Sequence, residues 1–144
     1  MLLHSPAVAG GWNSLLGTLR GGAVLPADLR ELAILRIAVL NDAGYEWDSH
    51  ESDAAAAGLT AEQMAALGED DAVGLSVFTP LQAAVLRLTD TMTRGVRVPD
   101  DVFDEIAALL DVPALVELVV VVGAYNMVSR VIVALDVTSA GVAR

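Results

Sequence analysis

Two acids and a histidine carry the chemistry this chain could do: Glu31, Glu46 and His50. Glu46 and His50 are four residues apart, so on a helix both side chains leave the same face. A carboxylate beside an imidazole can orient the ring and hold a proton on it, which general acid–base chemistry near neutral pH requires. Glu31 opens a stretch that is apolar almost throughout after Leu32. A carboxylate there must be paired, hydrogen-bonded or protonated. Each residue also has a plainer reading. A Glu–His pair at this spacing can decorate a helix surface, and Glu31 can be a core acid paired with Arg36 or Arg130. Asp53, three residues after His50, adds a possible ligand for a divalent metal. One histidine with two carboxylates makes a poor metal site, however, and no metal or other cofactor is expected. Near the other end of the chain Tyr125, Asn126 and Arg130 interrupt a segment of Val, Leu and Ile. Buried polar groups need partners, so these residues form either a hydrogen-bonded core network or a patch facing a ligand.

The elements that must position these residues are helical. Apolar residues recur with the helical period, and no run alternates with period two. Residues 5–20 make a first helix, ended by Gly21-Gly22. Pro26, in the first turn, and Asp28 start a second that runs to about Asn41 and is apolar nearly all round, which implies burial on several sides. Asp42-Ala43-Gly44 breaks the chain before a third helix, Tyr45 to Ala57, closed by Gly58. Thr60 with Gln63 has capping-box spacing and starts a short fourth helix to Leu67. Gly68 to Ser76, with three acids and two glycines, reads as a solvated loop able to gate a site. Thr79, Pro80 and Gln82 open a fifth helix, Val102 to Leu110 mark a sixth, and Pro113 begins the last, to about Leu135. The expectation is an all-α chain, a compact bundle of six or seven helices in one domain spanning residues 1–144.

Composition narrows the function. The eight cations are all Arg and face nineteen acids, a net charge of −11. Nucleic acid and anionic membrane surfaces, which need positive patches, are therefore not expected partners. Cysteine is absent, which removes disulfides, thiolate nucleophiles and Cys-ligated metals. The N-terminus lacks the pattern of a secretory signal. Leu118 to Val133 is broken by Tyr125-Asn126, Ser129 and Arg130, short of the uninterrupted ~20 residues of a membrane span. A cytoplasmic location is expected.

The segments Leu25 to Arg36, Tyr45-Glu46-Trp47-Asp48-Ser49-His50, Gly58-Leu59-Thr60, Leu115 to Leu118 and Gly123 to Arg130 together resemble the carboxymuconolactone decarboxylase / alkyl hydroperoxidase D superfamily, in a cysteine-free branch. The resemblance covers nearly the whole chain and implies the alkyl hydroperoxidase D-like fold. In the hydroperoxidase members a Cys-x-x-Cys-x-x-x-His motif follows a proton-relay Glu by twelve residues. Here Glu31 matches the relay Glu and His50 the motif His, while Ala43 and Glu46 occupy the cysteine positions. The decarboxylases carry Glu-x-x-x-His in this helix, as Glu46 and His50 do. Their downstream His and Tyr-x-Gly-x-Pro segment are replaced here by Tyr-Asn-Met-Val-Ser-Arg.

The resemblance implies a cofactor-independent lyase or isomerase, decarboxylase-like, acting on a small organic acid, lactone or enolisable carbonyl compound. His50 would move the proton, Glu46 would orient it, and Glu31 would act as a second acid or relay. Tyr125, Asn126 and Arg130 would hold the substrate's oxygens, with Tyr45 and Trp47 shaping the pocket. The alternatives are a non-catalytic small-molecule-binding or interaction domain, and a peroxidase-type oxidoreductase, for which no thiol is present. The superfamily implies a homo-oligomer (dimer, trimer or hexamer), and an apolar content of 55% leaves side chains for a subunit contact.

Overall fold

Three helix starts in this chain are fixed by side chains that cap them. Thr60 and Gln63 exchange the two hydrogen bonds of a capping box, as do Thr79 and Gln82. The two boxes are also joined, because Gln63 Nε2 donates to Gln82 Oε1 at 3.1 Å. Asp111 Oδ1 accepts from the Ala114 amide at 2.9 Å and starts the last helix. The computed structural model describes residues 2–142, and its helices are α1 (Pro6–Gly21), α2 (Ala27–Leu40), α3 (Gly44–Ala56), α4 (Ala61–Ala66), α5 (Pro80–Arg94), α6 (Asp100–Ala107) and α7 (Val112–Ala134). The all-α bundle and its seven helices follow the periodicity, with boundaries within one to three residues. Pro26 stands one residue before α2, at its N-cap, and not in the first turn.

Helix α2 is the axis of the bundle. Leu29 and every residue from Glu31 to Ala38 are buried, because α3, α5 and α7 pack on different sides of it. Asp42, in the left-handed region at φ 51°, turns the chain after α2. The Ala43 amide closes on the Ala38 carbonyl at 2.8 Å, and α3 folds back onto α2. Gly58 ends α3 at φ 105°, a conformation that favours glycine. Leu32, Ile34, Leu35 and Ile37 of α2 meet Val85, Leu86 and Leu88 of α5 and Leu118, Val121 and Val122 of α7 in one core. Each such side chain contributes about 1.5–3 kcal/mol on burial.

Three features depart from the sequence reading. Gly68 to Ser76 is not simply a solvated loop: it holds a 3-10 turn at Ala72–Gly74 with Ala72 fully buried. The carbonyls of Glu69 and Asp70 accept from the Arg36 guanidinium, which ties the segment to α2. After α7 the chain forms a small antiparallel hairpin, β1 (Val137–Thr138) with β2 (Gly141–Val142), that the periodicity did not signal. Ser139 in its turn donates to Asp48 of α3. Helix α7 is long and apolar enough to cross a membrane by length and composition, yet half of that window is buried inside the bundle. It is a core helix here, and its outer face carries exposed Val112, Val116, Val120 and Met127.

Candidate active site

Glu31 points from the first turns of α2 into the seam between α2 and α3, where His50 meets it. Glu31 Oε2 and His50 Nδ1 are 2.8 Å apart, and both residues are buried. The other oxygen, Oε1, accepts from Arg30 Nε at 3.0 Å. Burial pushes the Glu31 carboxyl up, but the hydrogen bond and charge of His50, with those of Arg30, outweigh it and hold the group below the usual range. A carboxylate can only accept, so the proton between them sits on Nδ1. Nε2 is left as the ring nitrogen that can exchange a proton with a ligand. Tyr125 of α7 packs edge-on against the imidazole, with ring centroids 5.1 Å apart and planes at 83°.

A cavity of about 300 Å³ opens beside this pair. It is lined by Arg20 from the end of α1, by Tyr45, Glu46, Ser49, His50 and Asp53 of α3, and by Tyr125, Val128 and Ile132 of α7. Arg20 Nε donates to the Tyr125 hydroxyl at 3.1 Å. Glu46 is only 2% exposed, and neither of its carboxyl oxygens has a hydrogen-bond partner among the described residues. Burial pushes its pKa up to about 8, with Arg20 opposing only in part. At neutral pH Glu46 is therefore mostly a neutral acid and a potential hydrogen-bond donor. Burial also pushes the Tyr125 hydroxyl up, with its bond to Arg20 working against the shift.

The structure rearranges the expected roles. His50 is held by Glu31, not by Glu46, so the residue expected to orient the ring leaves its own oxygens unbonded. The ion pairs weighed for Glu31 do not form. Arg36 is taken by Asp90 through two contacts of 2.7 Å, and Arg130 donates to the carbonyl and side chain of Asn126. Tyr45 and Tyr125 reach the cavity, whereas Trp47, Asn126 and Arg130 do not line it. Trp47 borders a separate cleft with Ala38 and Val39. Asn126 belongs to a core network with Thr93, Asn41, Ser129 and the Val122 carbonyl. The geometry of α7 explains the split. Tyr125, Val128 and Ile132 follow i, i+3, i+7 on one stripe, while Asn126 lies about 100° around the helix from Tyr125. The segment expected to gate the site contributes nothing to the cavity.

Sequence reasoning missed Arg20, Ser49, Val128 and Ile132. Ser49 could have been found, since Glu46, Ser49, His50 and Asp53 repeat every three or four residues along α3. Arg20 gives no such signal, because it is brought in from another helix. Among the described residues no three His, Asp or Glu side chains gather as a metal would require.

Two solved structures with this architecture share little sequence with the chain. A protein of unknown function from Agrobacterium tumefaciens, thought to be the antioxidant defence protein AhpD, superposes with a TM-score of 0.82 at 20% identity over 95% of this chain and 93% of its own. An uncharacterized peroxidase-related protein from Silicibacter sp. gives 0.78 at 16% identity over 90% of this chain and 69% of its own. No curated protein matches the chain. The model of the carboxymuconolactone decarboxylase family matches residues 6–91, which include Arg20, Glu31, Glu46, His50 and Asp53. With more than half its length matched and the alkyl hydroperoxidase D-like bundle around the Glu31–His50 pair, this chain belongs to the carboxymuconolactone decarboxylase family.

Proposed function

We propose that the protein is a cofactor-independent lyase or isomerase that moves a proton on a small organic acid, lactone or enolisable carbonyl compound. The observation that carries this reading is the buried 2.8 Å contact between Glu31 and His50 Nδ1 at the edge of a cavity. Glu31 fixes the ring and stabilises the imidazolium that forms when Nε2 takes a proton. Glu46, neutral and without a partner, can donate to an oxygen on which negative charge develops, and a buried acid is most effective in that role when water is excluded. Tyr45 and Tyr125 bound the substrate's space. The neighbours' antioxidant and peroxidase associations carry over poorly, because this chain has no cysteine for thiol chemistry.

The same reading extends to assembly. Exposed Val112, Val116, Val120 and Met127 form a stripe along α7, and Val8 and Leu15 are exposed on α1. Covering such faces favours a homo-oligomer. Light scattering at micromolar concentration should give at least twice the 14.9 kDa of one chain; a monomer mass would refute the assembly.

The function is tested by incubating the protein in D2O with a panel of enolisable ketones, keto acids and lactones and following carbon-bound deuterium by NMR. Exchange above the buffer rate that disappears in His50→Gln is expected. Saturable binding without exchange or turnover would overturn the enzymatic reading in favour of a binding domain.

A further inference from the structure

The cavity contains one arginine, Arg20, and although Glu46 and Asp53 line the same cavity, no carboxylate among the described residues comes within ion-pair distance of it. Arg30 pairs with Glu31, Arg36 and Arg94 with Asp90, and Arg87 with Glu105, while Arg97 and Arg130, which lie off the cavity, close no ion pair among the described residues either. Among the described residues Arg20 closes no ion pair and bonds only through Nε, to the neutral hydroxyl of Tyr125 at 3.1 Å. Glu31, Asp53 and Glu46 act on it only at a distance, and both oxygens of Glu31 are already occupied. The Tyr125 bond orients the guanidinium and leaves both terminal nitrogens for a ligand. Two parallel N–H groups on a planar fork match a carboxylate in a bidentate pair. In a chain of net charge −11, a cation without a counter-ion at a cavity is a specific invitation to a small anion.

We propose that Arg20 is the substrate-recognition residue of this cavity, and that it holds a carboxylate the substrate keeps throughout the reaction. The inference rests on the acid–base reading of His50 for what happens to the rest of the substrate. Loss of CO2 from a clamped carboxylate would drain charge from the ion pair as the bond breaks, so the cation opposes loss of the very group it holds. The reacting bond is therefore elsewhere, at a C–H beside a carbonyl. His50 Nε2 takes that proton, and the C–H electron pair becomes the enolate. The Glu46 acid donates a hydrogen bond to the enolate oxygen, and the proton returns from His50 to the same or a conjugated carbon. Atoms and charge balance without an oxidant or cofactor. The substrate class is a small keto acid or an acid with an enolisable carbonyl, in preference to an uncharged ketone or lactone.

Levulinate, which carries a carboxylate and an enolisable ketone, and its uncharged methyl ester are suitable probes. NMR titration of the wild-type protein should show levulinate binding at least about tenfold more tightly than the ester. Arg20→Gln should erase the preference and Arg20→Lys should restore part of it. Equal affinities in the wild type, a preference that survives Arg20→Gln, or binding of neither probe at millimolar concentration would overturn the assignment. The wild-type comparison stands even if a variant misfolds, which thermal melts would reveal. Deuterium uptake beside the ketone separates the two readings. A charge-dependent binding preference without uptake supports the Arg20 anchor and defeats the acid–base role of His50. Uptake that is equal for both probes and unaffected by Arg20→Gln supports His50 and removes Arg20 from recognition.

Discussion

Arg36 and Glu46 are both buried ionisable side chains of the α2–α3 hairpin, and the fold treats them in opposite ways. Arg36 is 1% exposed, and its guanidinium is fully occupied by Asp90 and by the carbonyls of Leu67, Glu69 and Asp70. Glu46 is 2% exposed and its carboxyl oxygens find no hydrogen-bond partner among the described residues. A satisfied buried charge fastens a loop to the core. An unsatisfied buried carboxyl destabilises the fold even when neutral, and its position on a cavity beside His50 gives a reason for keeping it. Burial by itself thus does not separate structural from functional polar residues. For these two residues the accounting of their hydrogen bonds and their position relative to the cavity do.

The contrast can be broken first at Arg36. Arg36→Met leaves the Asp90 carboxylate short of its main partner and frees three carbonyls, so urea unfolding should show a loss of about 3–5 kcal/mol; a loss below about 1 kcal/mol would remove the distinction. On the other side of the comparison, His50→Gln, whose amide can still donate to Glu31, should stay folded while lowering proton transfer by about 10²–10⁴-fold, the scale of a lost general base. A variant that exchanges deuterium at the wild-type rate would sink the catalytic assignment.

Glu46 gives a pH-dependent test with a definite sign. Its pKa is raised from 4.5 to about 8, so the folded state binds its proton more tightly than the unfolded state does. Its contribution is greatest below pH 4.5 and is lost as pH rises through about 8. Glu46→Gln should remove this slope and be the more stable protein at pH 7, by roughly 3 kcal/mol. It should also remove a fall in activity as pH rises through about 8. Glu31 runs the other way. Its carboxyl lies below 4.5, so its contribution is present above that pH and is lost as pH falls through the lowered folded value. Equal melting curves for Glu46→Gln and wild type across this range would defeat the claim that the carboxyl is unsatisfied. The smallest effect belongs to the caps: Thr79→Ala should cost about 1 kcal/mol in denaturant melts and leave proton exchange unchanged.

The helices, their order and most of their ends were legible in the sequence because they rest on local chemistry. The 3.6-residue period, the Thr60/Gln63 and Thr79/Gln82 boxes, Gly58 and the helix-starting prolines act within a few residues of themselves. Glu31, Glu46 and His50 were legible as residue types at telling spacings, and the apolar surround of Glu31 marked it as buried. Which of them meet was not legible. The i, i+4 spacing favours Glu46 as the partner of His50, but α3 folds onto α2 and the contact forms across the helices with Glu31, nineteen residues away. The same limit applies to Arg20, which joins Tyr125 across 105 residues, and to Asn126 and Arg130, whose place in a core network depends on how α7 is rotated against its neighbours. Sequence alone determined which side chains are available and which helix face each occupies. Tertiary packing decided which faces meet, because the burial and hydrogen bonding of a side chain on one helix depend on what another helix places against it.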